Sequence, residues 1–290
     1  MANTLDLRRR IRSVKSTEQI TKAMKMVAAA KLRRAQTRVE EARPYGNALE
    51  EVLRSVAARV SSKRYPLLEE RPEKRVTLVV VVGNKGLAGA FNANVLREAQ
   101  RLMASDRWPD VELFLVGRKA ADYFRHKGKA PVATDIDIMN NVTTEKAYAL
   151  ARTLEARFTA GETDAIYLLS NRFRSIIQQK VTLVKLLPVP RSEVEVQPQD
   201  DEVVTPYLYE PSAGALLAQL LPRYVETQVL RAVLSSQAAE HAARMTAMDA
   251  ASKNAGEMID SLTLQYNRLR QASITKELIE IVSGAQALES

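Results

Sequence analysis

A glycine-rich turn, Gly83-Asn84-Lys85-Gly86-Leu87-Ala88-Gly89, follows an apolar run and precedes a helical stretch. Backbone N–H groups in such a turn can cradle a phosphate, and nucleotide sites on open α/β sheets are built at this place. The spacing does not complete one. Glycines three apart are not G-x-G-x-x-G, and no Lys-Ser or Lys-Thr pair follows, as a phosphate loop requires. Asp110 precedes its predicted strand, whereas a ribose-binding acid stands at a strand's end. The turn reads as structural, using glycine's access to positive φ, and Gly86 is expected to resist substitution. Asp135 and Asp137, interleaved with Ile136 and Ile138, fit the exposed face of an edge strand better than a catalytic pair. His126 and His241 lie far apart on predicted helices, which argues against a metal site. The absence of cysteine excludes disulfides, thiolate ligands and thiol redox switching. No catalytic constellation is complete, and no cofactor or metal is expected.

The elements that would position any site are dominated by the two ends of the chain. Leu234, Ala238, His241, Met245, Met248, Ser252, Ala255, Ile259, Leu262, Tyr266 and Leu269 recur at steps of four and three. That is the spacing of a coiled-coil seam, with His241 as a polar seam residue. No proline follows Pro222, so a helix is predicted over about 212–287, on the order of 110 Å long at 1.5 Å per residue. Beyond Leu269 the phase breaks, and Ile274, Leu278, Ile281, Ala285 and Leu288 form a new apolar stripe.

The amino end offers a mate. Residues 1–43 lack Gly and Pro, and Thr4 ahead of Asp6 suits a helix start. The stripe Leu7, Ile11, Val14 is expected to continue through Ile20, Met24 and Val27. It then resumes one residue out of phase at Ala28, Leu32, Ala35, Val39 and Ala42. After Pro44-Tyr45-Gly46 it returns at Leu49, Leu53, Val56 and Val60, which predicts a bend and continuation. Neither stripe can be buried alone, so the terminal helices are expected to pair antiparallel with the middle of the chain inserted between them.

That middle changes character. Val76–Val82, Val111–Val116, Ala165–Leu169 and Val181–Leu187 are short apolar runs, too short for buried helices and typical of covered strands. Helical stretches at Asn92–Ala104, Arg118–His126 and Thr143–Thr159 alternate with them. The fold class is therefore α/β plus a long α-helical antiparallel coiled coil, with an inserted Rossmann-like open, mostly parallel α/β domain. The expected divisions are an amino-terminal coiled-coil helix over 1–65, the α/β domain over 72–190, a connection over 191–211 and a carboxyl-terminal helix over 212–290.

No apolar run is long enough to span a membrane, and the charged amino end lacks the apolar region of a secretory signal. Net charge is +9, and residues 1–43 hold twelve Lys or Arg against four acids. A basic helix of this kind suits nucleic acid, an acidic membrane surface or an acidic protein collar. No aromatic residue interleaves its charges to stack on bases, and no nucleic-acid-binding module is present.

Four segments carry a resemblance. Ile11-Arg-Ser-Val-Lys-Ser-Thr-Glu-Gln-Ile-Thr-Lys-Ala-Met-Lys-Met-Val-Ala-Ala-Ala-Lys31 and Arg270-Gln-Ala-Ser-Ile-Thr-Lys-Glu-Leu-Ile-Glu-Ile-Val-Ser-Gly-Ala285 resemble the two ends of the gamma subunit of F-type ATP synthases. Tyr207-Leu-Tyr-Glu-Pro211, Arg223-Tyr-Val-Glu-Thr-Gln228 and the Gly86–Asn92 segment match as well, so the likeness runs the whole length. Gly83-Asn84-Lys85 departs from it, since members commonly carry Ser-Asp-Arg or Ser-Asp-Lys there. The cysteine-bearing insertion of chloroplast members is absent.

The resemblance implies a noncatalytic rotor shaft, present once per complex, inside a ring of alternating alpha and beta subunits. The α/β domain would sit beside the epsilon subunit, above the membrane ring of c subunits. It implies that Met24, Lys25, Arg244, Arg270, Gln271, Thr275 and Glu277 lie at or near polar catch contacts with beta. Ile274, Leu278, Ile281, Ala285 and Leu288 would turn as an axle tip in an apolar sleeve. Tyr207, Tyr209 and Glu210 would form the foot on the c ring and epsilon. The basic Arg8–Arg34 face would meet acidic loops of beta. The expected location is the cytoplasmic side of a bacterial inner membrane, reached only through the complex, with no nucleic-acid partner. An α/β enzyme with a coiled-coil dimerisation arm and a basic nucleic-acid-binding coiled coil are the competing readings from residues alone. With its phosphate loop incomplete, the isolated chain is expected to show no micromolar ATP binding in equilibrium dialysis; such binding would contradict this reading of the turn.

Overall fold

The computed structural model describes residues 4–57, 65–190 and 212–289. Two helices contribute to both of its compact units: α1 (Thr4–Ala57) and α5 (Ala213–Glu289). One unit comprises residues 29–244, the other residues 1–28 with 245–290.

In the larger unit the alternating pattern becomes β1 (Arg75–Val81), α2 (Phe91–Met103), β2 (Asp110–Val116), α3 (Arg118–His126), β3 (Ala133–Asp135), α4 (Thr144–Thr159), β4 (Ala165–Phe173) and β5 (Gln179–Leu187). The strand order is β3-β2-β1-β4-β5. The first four strands are parallel, while β5 returns antiparallel beside β4. Helices cover both faces, so β1 buries every residue after Arg75 and reads as an unbroken valine-rich run. On one face Leu78, Val80 and Leu115 pack with Val95, Ala99, Leu102 and Phe124 of α2 and α3. On the other, Val79, Val81, Phe114 and Leu168 meet α4.

That second face is shared with the long helices. Leu49, Leu53 and Val56 of α1 and Leu217, Leu221, Val225, Val229 and Val233 of α5 belong to the same core. Each such aliphatic side chain, fully buried, contributes about 1.5–3 kcal/mol. α1 runs through Pro44, which is exposed, without ending. Two residues on, Gly46 makes room for a cation: a Cβ there would lie 3.1 Å from Nη1 of Arg231. Arg231 donates to Glu50 at 2.5 Å, and Gln228 reaches the same oxygen at 3.0 Å. Ser212 caps α5, its Oγ accepting the N–H of Ala215.

Asp135 and Asp137 do not share a strand face. Asp135 ends β3, and its carboxylate accepts the N–H groups of Asp137 and Ile138, folding the chain into a turn. Asp137 lies past the strand and pairs with Lys146 at 2.5 Å. A short polar side chain that satisfies the backbone two residues on favours a turn over continued pairing.

In the smaller unit α1 and α5 lie antiparallel, with Lys25 Nζ donating to Asp249 Oδ1 at 2.6 Å. On α5 the positions withdrawn from solvent include Met245, Met248, Ser252, Ala255, Ile259, Leu262 and Tyr266, as the seam predicts; Leu269 is exposed. The α1 seam differs from expectation. Ile20 and Val27 are each 57% exposed. The protected positions are Leu7, Ile11, Val14, Glu18, Thr21, Lys25 and Ala28, continuing to Leu32, Ala35, Val39 and Ala42. Steps of four and three therefore run unbroken, and there is no slip at Val27–Ala28. Polar residues hold the seam because helix phase, set by the flanking apolar turns, outweighs the burial of two isolated side chains.

One polar cluster fastens α4 to α5. Glu226, its side chain only 4% exposed, accepts Nε of Arg152 at 2.8 Å and Nη1 of Arg223 at 2.9 Å. Glu155, one turn along α4 from Arg152, has a buried Oε1 without a hydrogen-bond partner among the described residues. Burial first, then the neighbouring Glu226 charge, pushes its carboxyl up to about 7, with Arg152 opposing. The folded chain holds a proton that the unfolded chain releases near 4.5. This contribution to stability is complete below that value and is lost as pH rises through about 7. Glu155→Gln should raise the melting temperature at pH 8 and leave it nearly unchanged at pH 4.5. An equal rise at both pH values would assign the effect to packing.

Candidate functional site

The turn after β1 is knitted to its surroundings. Gly83 N donates to Oδ1 of Asn92 at 2.9 Å, and Asn92 Nδ2 donates back to the carbonyl of Lys85. Asn84 spans three segments. Its Oδ1 accepts the N–H of Arg118 at the start of α3 at 2.7 Å, while Nδ2 donates to the carbonyl of Ile136 and to Oδ1 of Asn140. A helix N-terminus that would otherwise attract an anion is thus capped from within the protein. The turn's backbone requirements are not those expected of Gly86, which has open space where a Cβ would stand and no positive φ. Positive φ falls at Leu87 (58°) and Gly89 (53°).

The constrained glycine is Gly83. A Cβ there would meet the carboxyl carbon of Glu240 on α5 at 2.7 Å. Glu240 is held by Arg244, one turn along, at 2.7 Å, with both side chains nearly buried. The same Nη2 reaches the carbonyl oxygens of Gly86 at 3.1 Å and Lys85 at 3.4 Å. Arg244 is therefore spent on joining α5 to the turn. His241, between these two charges on the helix, carries a buried Nδ1 with no partner among the described residues. Burial first, then the Arg244 and Lys31 charges, lowers its pKa to about 4. It is neutral in the fold, and the stability tied to it is lost as pH falls from about 6.5 towards 4. Glu240 and the constraint it places on Gly83 went unread in the sequence. The signal was an acid four residues before an arginine, on either side of the seam position His241.

The other predicted contact residues lie in the smaller unit. Met24 is half-buried beside the seam; Lys25, on the seam, holds Asp249 in an exposed pair that stabilises little. Arg270, Gln271, Thr275 and Glu277 are exposed. Thr275 Oγ1 donates to the carbonyl of Gln271, and Ser273 Oγ to Glu277 at 3.3 Å. Every described side chain from 267 to 284 is exposed, including Ile274, Leu278, Ile281 and Val282. The side chains of Ala285 and Leu288, and all of Tyr207, Tyr209 and Glu210, lie outside the described residues. Among the described residues no group of three or more His, Cys, Asp or Glu could hold a metal, and no helix is long and apolar enough to cross a membrane.

Gly83→Ala should destabilise the isolated chain by about 1–3 kcal/mol, the usual range for overpacking. Gly86→Ala should stay within ~0.5 kcal/mol. Combining Gly83→Ala with Glu240→Ala should cost less than the two single changes together, as chemical denaturation can measure. Strict additivity would mean that the carboxylate yields and Gly83 is not constrained by it.

With this geometry, three comparisons agree. The family model described as ATP synthase matches residues 3–288. An ATP synthase gamma chain from Solibacter usitatus is 51% identical, with both chains covered in full. One from Desulforamulus reducens is 49% identical, again over both whole chains. Among solved structures, a central stalk and c-ring chain of the Tetrahymena thermophila mitochondrial ATP synthase aligns with a TM-score of 0.61 at 28% identity, covering 80% of this chain and 99% of that one. A chain of the Euglena gracilis mitochondrial ATP synthase aligns over 98% of this chain and 94% of its own at a TM-score of 0.70, its 21% identity supporting the fold. A family match and near-half identity over the full length, on a paired-helix and α/β architecture, establish that the chain belongs to the ATP synthase gamma-chain family.

Proposed function

We propose that this chain is the noncatalytic central-stalk rotor of a proton-translocating ATP synthase, one copy per complex. It couples rotation of the c ring to conformational cycling of the beta-subunit catalytic sites. The observation that carries the reading is the end of α5. After Tyr266 the helix continues while every described side chain is exposed, with Ile274, Leu278, Ile281 and Val282 among them. An apolar helix end of this length is costly in water and suits a surrounding sleeve.

On this reading the tip supplies nondirectional contact whose energy varies little with angle. The polar catch consists of Gln271, Thr275, Glu277 and Arg270 on α5, with Met24 and Lys25 of α1. Arg244 contributes from inside, by fixing α5 to the turn at Gly86. Exposed Ile20, Met26 and Val27, set among basic residues on α1, suit acidic and apolar surfaces of the ring. Tyr207, Tyr209 and Glu210 are proposed as the foot on epsilon and the c ring. The chemistry of ATP belongs to the ring, and the chain is attached peripherally to the cytoplasmic side of the inner membrane through the complex.

Charge-assisted hydrogen bonds contribute roughly 1.5–3 kcal/mol. A catch made in one rotational state and broken in the next therefore changes a step by about tenfold per 1.4 kcal/mol. In a complex reconstituted with alpha and beta subunits, Gln271→Leu or Glu277→Ala should slow ATP turnover more than truncation after Ser283 does. Unchanged turnover in both polar variants, with loss on truncation, would move the torque-bearing contact to the tip. A wild-type chain that failed to join the ring would overturn the rotor reading itself.

A further inference from the structure

The hairpin joining β4 and β5 carries an unpartnered surface of defined chemistry. Its tip is closed by its own hydrogen bonds: the N–H groups of Arg174 and Ser175 both reach the carbonyl of Gln178, and Gln178 N donates to Ser175 Oγ. Gln179 Nε2 donates to the carbonyl of Ile176 at 2.7 Å. This hydrogen-bonded turn nevertheless leaves Ile177 89% exposed and Ile176 43% exposed. The base is anchored as firmly. Asn171 Nδ2 donates to the carbonyl of Phe91, Phe173 N donates to Ser235 Oγ on α5, and Phe173 packs against the cluster of Ala88, Phe91 and Ala239.

The charges around the two isoleucines have one sign. Arg172, Arg174 and Lys180 are exposed, and none is ion-paired among the described residues. No Asp or Glu occurs between Asp164 and Glu193. Arg172 and Lys180 are also cross-strand partners, and like charges placed opposite each other destabilise a pair of strands. A rigid hairpin that keeps a self-repelling cationic pair beside two bare isoleucines is unfavourable in isolation. It becomes favourable against an acidic surface with an apolar spot. The anchor at Ser235 puts this hairpin beside α5, the helix that the proposed ring would surround.

We propose that the β4–β5 hairpin is a docking finger for an acidic surface on the alpha–beta ring, a second contact apart from the shaft. The proposal rests on the rotor reading. The ring subunit supplies carboxylates to Arg172, Arg174 and Lys180 and an apolar recess for Ile177. Contact of this kind is broken and remade as the chain turns, and its electrostatic part weakens with salt.

The test is a photoreactive benzoylphenylalanine in place of Ile177, in the complex reconstituted from this chain with alpha and beta subunits. Assembly is checked first by size-exclusion chromatography, and the cross-linked peptide is then identified by mass spectrometry. The expected product joins the finger to an Asp- or Glu-rich segment of a ring subunit. Arg172→Glu should weaken assembly by about tenfold, as loss of charge complementarity does. The same change should leave the melting temperature of the isolated chain equal or higher, because Lys180 then faces an opposite charge. Normal assembly without a cross-link to a ring subunit, or with one to lipid only when anionic vesicles are added, would overturn the finger while leaving the rotor reading intact. Failure of the unsubstituted chain to enter the ring would remove both.

Discussion

Everything in this molecule depends on two helical stripes, one at each end of the chain, that neither helix can bury alone. The seam of α5 is kept at steps of four and three from Leu234 to Tyr266, and that of α1 from Leu7 to Val56. Such pairing is stiff because each turn is fixed by side chains from the facing helix, and a shift of phase would disturb many contacts at once. The α/β insertion borrows the same seam for its own core, with Leu53 and Val229 buried beside Val79 and Leu168.

Where α5 outlasts its mate, the physics changes. Inside the seam, burial fixes position. Beyond Tyr266 the same kind of apolar residue faces solvent, and only a partner can cover it. The α/β domain solves the opposite problem, keeping its polar groups occupied at home. Asn84, Asn92 and Arg244 tie down a turn that on other open sheets receives a phosphate. Glu240 packs against Gly83, its carboxylate standing where a Cβ would be, so a side chain there requires Glu240 to move. A fold associated with ligand sites is used as a clamp on a helix.

The sequence made the architecture legible because periodicity is local. The strands and helices of the insertion follow from runs of valine and leucine, and the α5 seam from residues that are nearly all apolar or small. The α1 seam was misread at Ile20 and Val27 because apolar character was followed in place of phase. Val14 and Ala28 are already two heptads apart, so the stripe could pass only through Glu18, Thr21 and Lys25. Those outward isoleucine and valine side chains signal a partner, and a pattern search that maximises burial assigns them to the core. The constraint on Gly83 and the Glu155–Glu226 cluster were not legible, because each joins segments far apart in the chain; the Glu240–Arg244 spacing marks a helix pair but not the turn that it meets.

The central claim is that a single asymmetric helix pair turns inside a fixed ring. The direct measurement attaches one polarised fluorophore to Arg118→Cys, an exposed position in a chain that has no native cysteine, with the reconstituted ring fixed to a surface. On addition of ATP the account predicts one dye per complex, with polarisation stepping in a single rotational sense from one beta site to the next. Two dyes per ring, or polarisation that stays fixed while ATP is hydrolysed, would contradict it.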